Sequence, residues 1–132
     1  MSNIERTGKR DLTYSEFLRS CDIACSDLDF IIYDHNIDRI KAIIESKEGF
    51  NNYPSLYQHK LYLNISRATK APYYLIQYST ADINGNKQIR DVKITKGESL
   101  IVEGKSGLVS LIDSGDWFLQ TYNQHIKWIK NL

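Results

Sequence analysis

The chain has few cysteines and no long apolar run, and each shortage excludes a class of protein. Its two cysteines, Cys21 and Cys25, are too few for the disulfide framework of a small secreted protein, and their spacing differs from that of paired zinc ligands. No run of about 18 apolar residues is present to span a bilayer. Residues 1–10 also lack the apolar core of a signal peptide. We therefore expect a soluble, cytoplasmic protein with no membrane partner.

An excess of positive charge is also missing. Seventeen Lys and Arg residues face 16 Asp and Glu residues, so the formal net charge is only +1. Nucleic-acid-binding domains usually carry a clear basic excess, so any contact with phosphate must come from a local patch of the surface. The length of 132 residues and the hydrophobic fraction of 42% predict a single domain, residues 1–132, with one core.

Apolar periodicity predicts alternating helices and strands. The predicted helices span residues 12–20, 55–67 and 115–132. Strands are predicted where aromatic and β-branched residues are concentrated, over residues 28–33, 40–47, 73–80, 87–94 and 99–104. The first two strands form a hairpin, and Asn84-Gly85 is a strong turn signal between the third and fourth. This order predicts the α/β class, with a central mixed β-sheet flanked by helices.

Two of the predicted helices have a distinct apolar face. The apolar residues of the central helix recur at helical intervals and are Tyr57, Leu61, Ile65 and Ala68. Ser114 is placed to cap the closing helix, whose apolar face is predicted to include Trp117, Phe118, Tyr122, Ile126 and Ile129. His59 and His125 are expected to face solvent or a partner.

Charged side chains interrupt the apolar strands of the first hairpin. Residues two apart in a strand point to the same face, so Glu45 and Lys47 project together, as do Asp27 and Asp29. Pairing of the strands would gather these groups at one end of the sheet. Converging carboxylates repel each other and are costly to desolvate, so such a group normally surrounds a cation. Oxygen ligands of high charge favour Mg²⁺ or Mn²⁺.

A divalent ion beside a lysine is suited to phosphodiester hydrolysis. The ion polarises a phosphate and lowers the pKa of a water molecule, which makes hydroxide available near neutral pH. Lys47 cannot be a ligand, but its ammonium group can orient the attacking water or stabilise charge on the phosphoryl oxygens. The simpler interpretation is a solvated ion pair of Glu45 and Lys47 at a strand end.

This pattern resembles the motif of the PD-(D/E)xK nuclease superfamily, an Asp followed after a variable gap by Glu-x-Lys at the end of an apolar strand. Here it reads Asp29, residues 30–44, and Glu45-Ser46-Lys47. Leu28 stands where many members have proline. Gln58 and Tyr62 on the central helix are similar to the Gln-x-x-x-Tyr pair of RecB-like members, and positions four apart share one helical face.

The resemblance implies a restriction endonuclease-like fold, with an αβββαβ core over about residues 13–80, and a Mg²⁺- or Mn²⁺-dependent nuclease. The catalytic residues that it implies are Asp29, Glu45, Lys47, Gln58 and Tyr62. The candidate metal ligands are Asp29, Glu45, Glu16 and Asp27. Asp29 is favoured over Asp27 because it directly enters the apolar run, and a capping box with Thr13 explains Glu16 equally well. Gln58 and Tyr62 are otherwise explained as a helix shoulder with a buried phenol.

The expected partner is nucleic acid, with DNA favoured over RNA and endonuclease or exonuclease action left open. Basic residues that could contact phosphate are Arg6, Lys9, Arg10, Lys60, Arg67 and Lys70. Cutting both strands of a duplex commonly needs two active sites, which a two-fold homodimer would supply. The alternative function is a catalytically inactive nuclease-fold module that binds nucleic acid or a protein partner.

Overall fold

The computed structural model describes residues 17, 20, 21, 30–105 and 108–132, and its centre is a five-stranded mixed sheet. The strands of this sheet, in spatial order, are β1 (Phe30–Asp34), β2 (Arg39–Glu48), β3 (Tyr73–Ile83), β4 (Asn86–Lys96) and β7 (Phe118–Thr121). A separate two-stranded sheet consists of β5 (Leu100–Lys105) and β6 (Leu108–Asp113). The helices are α1 (Leu56–Thr69) and α2 (Tyr122–Lys130), with a short 3-10 helix at Gly97–Ser99. The predicted α/β class with a central mixed sheet is confirmed.

The connections explain why the sheet is mixed. β1 and β2 form the predicted antiparallel hairpin. α1 then crosses from the end of β2 to the start of β3, so these two strands run parallel. β3 and β4 form a second hairpin, in which Asn84 and Gly85 have φ angles of 51° and 80°. Such positive angles at both central residues are what Asn-Gly turns accommodate.

The two faces of the sheet are covered by different helices. On the α1 face, Ile43 and Tyr73 pack around Tyr62 of α1. On the α2 face, Ile44 lies in a second cluster that contacts residues of α2 and the C-terminus; its buried members are Ile44, Ile76, Val92 and Ile94. Because strand residues alternate, Glu45 and Lys47 share the α1 face with Ile43. The fold therefore places Glu45 and Lys47 on the face of the sheet that α1 covers.

The central helix is confirmed, but of its predicted apolar face Ile65 packs against the core whereas Tyr57 and Ala68 are exposed. Ser55 caps α1 in a capping box with Gln58, and the helix ends at Lys70, which has a φ angle of 60°. The fully buried residues of α1 are His59 and Tyr62, whereas Tyr57 is 48% exposed. The polar atoms of His59 and Tyr62 are hydrogen-bonded inside the protein, which offsets the cost of burying them.

The predicted closing helix is wrong over its first part. Residues 118–121 form strand β7, which pairs with Asp91–Ile94 at the outer edge of β4. The helix α2 begins only at Tyr122, where Thr121 and Gln124 form a capping box. Pairing with β4 satisfies backbone groups on that edge, which an isolated helix here would leave unpaired. The strand β6 was not predicted.

Before β1, the structure describes only residues 17, 20 and 21, so the predicted first helix can be compared with it at few positions. Phe17 and Ser20 are helical, and the rest of the helix predicted over 12–20 lies outside the described residues. Among the residues that the structure describes, no helix has the length and apolar character needed to cross a membrane.

Candidate active site

Glu45 lies at the centre of a buried group of polar side chains. Its side chain is only 1% exposed, and its Oε2 accepts a hydrogen bond of 2.7 Å from the Tyr62 hydroxyl. Lys47 Nζ lies 3.0 Å from the other oxygen, Oε1, and the lysine side chain is 30% exposed. The structure thus brings together three of the predicted residues, two from β2 and one from α1. Burial of Glu45 does not fit a solvated ion pair.

The register of the sheet holds this group in place. Glu45 pairs with Leu75 and Lys47 with Gln77 on the parallel strand β3. Tyr62 reaches Glu45 from the helix above, and its ring meets the Tyr73 ring edge-on with centroids 5.3 Å apart. Parallel pairing and aromatic packing therefore fix the distance between β2 and α1 at the carboxylate.

With the contacts that the described residues make to it, the Glu45 carboxylate retains capacity for a cation. An ionised carboxylate offers about four lone-pair positions, and each oxygen of Glu45 has one of the two contacts just described. Burying such a charge is costly unless it is paired and hydrogen-bonded, so its retention here needs a partner charge or a function. A carboxylate in this setting is chemically suited to a hard divalent ion.

The other predicted site residues are placed differently or lie outside the described residues. Gln58 Oε1 accepts from the backbone N of Ser55 at 3.2 Å, so this amide is engaged at the start of α1 and its supporting role stays a prediction. Asp29, Asp27 and Glu16 lie outside the described residues. Glu45 is thus the predicted ligand that can be located, and the described residues contain no group of three or more His, Cys, Asp or Glu positioned for a metal.

His59 is a buried residue next to this site that the sequence patterns did not indicate. Its Nε2 donates to the Leu100 carbonyl at 2.8 Å, and its Nδ1 accepts from the Tyr73 hydroxyl at 3.1 Å. The carbonyl can only accept, which assigns the proton to Nε2. Burial, and then the charge of Glu45, raise the pKa of Tyr73, so its hydroxyl remains a donor. His59 thereby links α1 to β5 in its neutral form.

The buried His59 makes stability depend on pH. Burial lowers the pKa of His59 below its usual value of 6.5, against an opposing hydrogen bond to Leu100. The unfolded chain therefore binds the proton more readily, and stability is lost as the pH falls below that value. We expect the free energy of unfolding, measured with urea from about pH 8 to about pH 5, to fall by at most about 1.4 kcal/mol per pH unit from this group.

Two variants isolate the contribution of His59. The H59Q variant should lose this part of the pH dependence. Burial also lowers the pKa of His125, so H125Q should remove a separate contribution of the same sign and leave that of His59. Equal pH dependence in wild type and H59Q would show that His59 is not held neutral.

Removing the Tyr62 hydroxyl tests the packing of the carboxylate. In Y62F the ring remains, but Glu45 Oε2 loses a 2.7 Å hydrogen bond inside the protein. Hydrogen bonds to charged groups contribute about 1.5–3 kcal/mol, so we expect the free energy of unfolding to fall by about that amount. The matched control is Y57F on the exposed side of α1, which should change it by less than about 0.5 kcal/mol. Equal stability of Y62F and wild type would contradict this description.

Two further polar residues, Gln77 and Lys93, lie in line with Lys47 on the neighbouring strands. Gln77, its partner on β3, is fully buried, and its Nε2 donates to the Asn52 carbonyl at 2.5 Å. Among the described residues, Gln77 Oε1 has no hydrogen-bond partner. Gln77 pairs in turn with Lys93 on β4. The α1 face therefore carries a polar row, Lys47–Gln77–Lys93, across three neighbouring strands.

No protein-family model, curated protein or solved structure matches the chain. The function must therefore be inferred from the side chains that the fold brings together. Those side chains are the buried Glu45, its neighbours Lys47 and Tyr62, and the polar row that continues from Lys47.

Proposed function

We propose that the chain is a divalent-metal-dependent nuclease of the PD-(D/E)xK type that hydrolyses phosphodiester bonds in DNA. The observation that carries this proposal is the buried Glu45 carboxylate, bonded by Tyr62 and held 3.0 Å from the Lys47 ammonium group. A buried ion pair is weak evidence for a stabilising role, because apolar residues of similar volume often stabilise as well or better. A carboxylate and an ammonium group side by side are, in contrast, useful for phosphoryl chemistry.

The order of elements supports a restriction endonuclease-like core. An antiparallel hairpin, a crossover helix and a parallel strand follow one another as β1, β2, α1 and β3. This order is compatible with the later part of an αβββαβ core. The motif residues Glu45 and Lys47 lie near the end of β2, and Tyr62 lies on the helix that follows.

The donor set suits Mg²⁺ or Mn²⁺. Glu45 would hold the ion together with Asp29, and Glu16 and Asp27 are the further candidates for this set. Asp29 directly precedes Phe30, which pairs with Ile44, the neighbour of Glu45. When bound, the ion would act as a Lewis acid and stabilise charge that develops on the phosphate oxygens.

Lys47, Tyr62 and Gln58 have different proposed roles around the scissile phosphate. Lys47 is partly exposed, so its ammonium group can donate to the attacking water or to a phosphoryl oxygen. Tyr62 fixes the orientation of Glu45 through its hydroxyl. Gln58 lies one helical turn before Tyr62 and is the proposed supporting residue from the same helix.

Incubation of the purified protein with nucleic acids tests this proposal. Single-stranded and duplex DNA, with RNA in parallel, are incubated with Mg²⁺, with Mn²⁺ or with EDTA. We expect cleavage of DNA with either ion and none with EDTA. Binding without cleavage of any substrate by the folded protein would overturn the proposal and favour the inactive nuclease-fold module.

A further inference from the structure

An aromatic cluster surrounds Lys93 at the far end of the polar row. Lys93 Nζ lies 4.9 Å from the centre of the Trp117 ring and 5.7 Å from that of Phe50. The Tyr53 ring meets the Trp117 ring edge-on, with centroids 6.4 Å apart. We call Phe50, Tyr53, Trp117 and Lys93 the Lys93 cluster.

The Lys93 cluster lies beside the proposed cleavage centre. Lys47, Gln77 and Lys93 are directly paired neighbours on β2, β3 and β4. Adjacent strands are about 4.8 Å apart, which places the backbones at Lys47 and Lys93 about 10 Å from each other. One substrate chain could therefore contact both places on the α1 face.

The buried side chain of Gln77 is a second feature of this row that points to a ligand. The residue is fully buried, and its Nε2 donates to the Asn52 carbonyl in the segment that leads to Tyr53. Its Oε1 has no hydrogen-bond partner among the described residues. An unsatisfied buried acceptor is costly, so such an atom calls for a donor beyond those that the described residues supply.

Two of the three rings of the Lys93 cluster are held in place by Asp113. This carboxylate accepts from the Tyr53 hydroxyl at 2.9 Å and from Trp117 Nε1 at 2.7 Å. Burial alone would raise the pKa of Asp113, but hydrogen bonds from Gly115, Trp117 and Tyr53, with the charge of Lys93, lower it. Asp113 therefore stays ionised and fixes both rings, while 41% of Tyr53 remains exposed. An exposed ring that is already oriented loses little entropy when a ligand stacks on it.

The charge of the Lys93 cluster favours a base over a phosphate. The Asp113 carboxylate is close enough to Lys93 for the lysine to lower its pKa, so the two charges partly cancel. Flat, uncharged π surfaces then provide the main contact, as in proteins that bind single strands by stacking bases on aromatic side chains. A base inside a duplex has both faces covered by its neighbours and is not available for such stacking. Duplex binding through phosphates would also need a local basic patch, and at this cluster the charge of Lys93 is partly cancelled by Asp113.

We propose that the Lys93 cluster is a stacking site for an unpaired nucleobase, so that the preferred substrate is single-stranded nucleic acid or an unpaired segment of a duplex. This proposal rests on the proposed nuclease function, because it names the substrate that the nuclease would bind on the α1 face of the sheet. Binding of the base itself needs neither metal nor cleavage, so the two proposals can be tested separately.

The test uses Trp117 as a reporter. The sequence has two tryptophans, and W128F leaves Trp117 as the only one. In EDTA, a single-stranded oligodeoxynucleotide should quench the fluorescence of W128F. The W117F variant reports only Trp128 on α2, on the other face of the sheet, and should show no quenching. The affinity for a blunt-ended duplex of the same sequence should be at least about tenfold lower than that for the single strand.

Substitutions of Tyr53 identify the stacking ring. In the W128F background, Y53A should weaken binding of the single strand about tenfold, because it removes a stacking surface, and Y53F should keep most of the affinity. The matched control is Y57A, which removes a tyrosine of similar exposure on α1 outside the Lys93 cluster. It should bind as W128F does.

The outcomes separate this proposal from the proposed function. Unchanged affinity in a folded Y53A protein, or equal affinity for duplex and single strand, would overturn the stacking site even if the protein cleaves DNA. Absence of Trp117 quenching by any oligonucleotide would also overturn it, without need of a cluster variant, and would favour a protein partner at this surface. Quenching without cleavage would support the stacking site and count against the nuclease.

Discussion

Replacing Lys47 by alanine is expected to lower the rate of Mg²⁺-dependent DNA cleavage by about 100-fold or more, because under the proposed function it removes a donor to the charge of the reacting phosphate. The ammonium group lies 3.0 Å from Glu45 Oε1 and is 30% exposed, so it can serve both the buried carboxylate and a substrate in solvent. Single-turnover cleavage with enzyme in excess measures the chemical step. Binding of the oligonucleotide in EDTA should change far less.

The matched control for K47A is K87A. Lys87 also pairs with a glutamate, at 2.8 Å from Glu48, but this pair joins β4 to the end of β2 and both of its side chains are exposed. K87A should cleave at the wild-type rate, and K47R, which keeps the positive charge, should retain more activity than K47A. A wild-type cleavage rate in a folded K47A protein would exclude Lys47 from catalysis.

The second large effect is expected from E45Q. The amide has nearly the same size and can still accept from Tyr62, so the fold should be kept. It lacks the negative charge that a divalent ion requires, and we expect cleavage to fall at least about 100-fold. Mn²⁺ should raise the melting temperature of the wild type, because a ligand that binds only the folded state stabilises it, and should leave that of E45Q unchanged.

The matched control for E45Q is E48Q. Glu48 lies on the same strand, and its hydrogen bonds with Lys87 and Thr80 lower its pKa. Its side chain is exposed, and it contacts β3 and β4 instead of Tyr62 and Lys47. E48Q should keep both cleavage and the response to Mn²⁺. If E45Q were stabilised by Mn²⁺ as strongly as the wild type, Glu45 would not be a metal ligand.

Local patterns were sufficient for the strands β1 to β4, for α1 and for three residues of the candidate site. The alternation along β2 placed Glu45 and Lys47 on one face, and the helical period placed Tyr62 on α1. Their contacts follow once α1 crosses to a parallel strand, which sequence order alone favours. The Asn84-Gly85 turn was likewise predictable, because few other residue pairs accept its two positive φ angles.

Non-local pairing explains the parts that the patterns did not predict. Residues 118–121 are compatible with an amphipathic helix, but the free edge of β4 pairs with them as β7. His59 is polar and was expected to face outward, yet two hydrogen bonds from distant segments allow its burial. In both cases a tertiary contact outweighs local preference.

The Lys93 cluster was also not accessible from the sequence. Tyr53 and Asp113 are 60 positions apart. Tyr53 lies in the loop between β2 and α1, and its hydroxyl donates to Asp113 at the end of β6. Gln77 offered a partial signal, since a polar residue within the apolar run of β3 is unusual for a buried strand. Its significance depends on the register that places it between Lys47 and Lys93.

Glu45 and its neighbours are proposed to form a metal-dependent hydrolytic centre. The most direct test is a crystal structure of the protein with Mn²⁺, at an ion concentration that supports cleavage. We expect anomalous density about 2.0–2.2 Å from a Glu45 carboxylate oxygen, with the Lys47 ammonium group beside the ion but not coordinating it. Absence of such density, with the carboxylate still bonded only to Tyr62 and Lys47, would contradict the account.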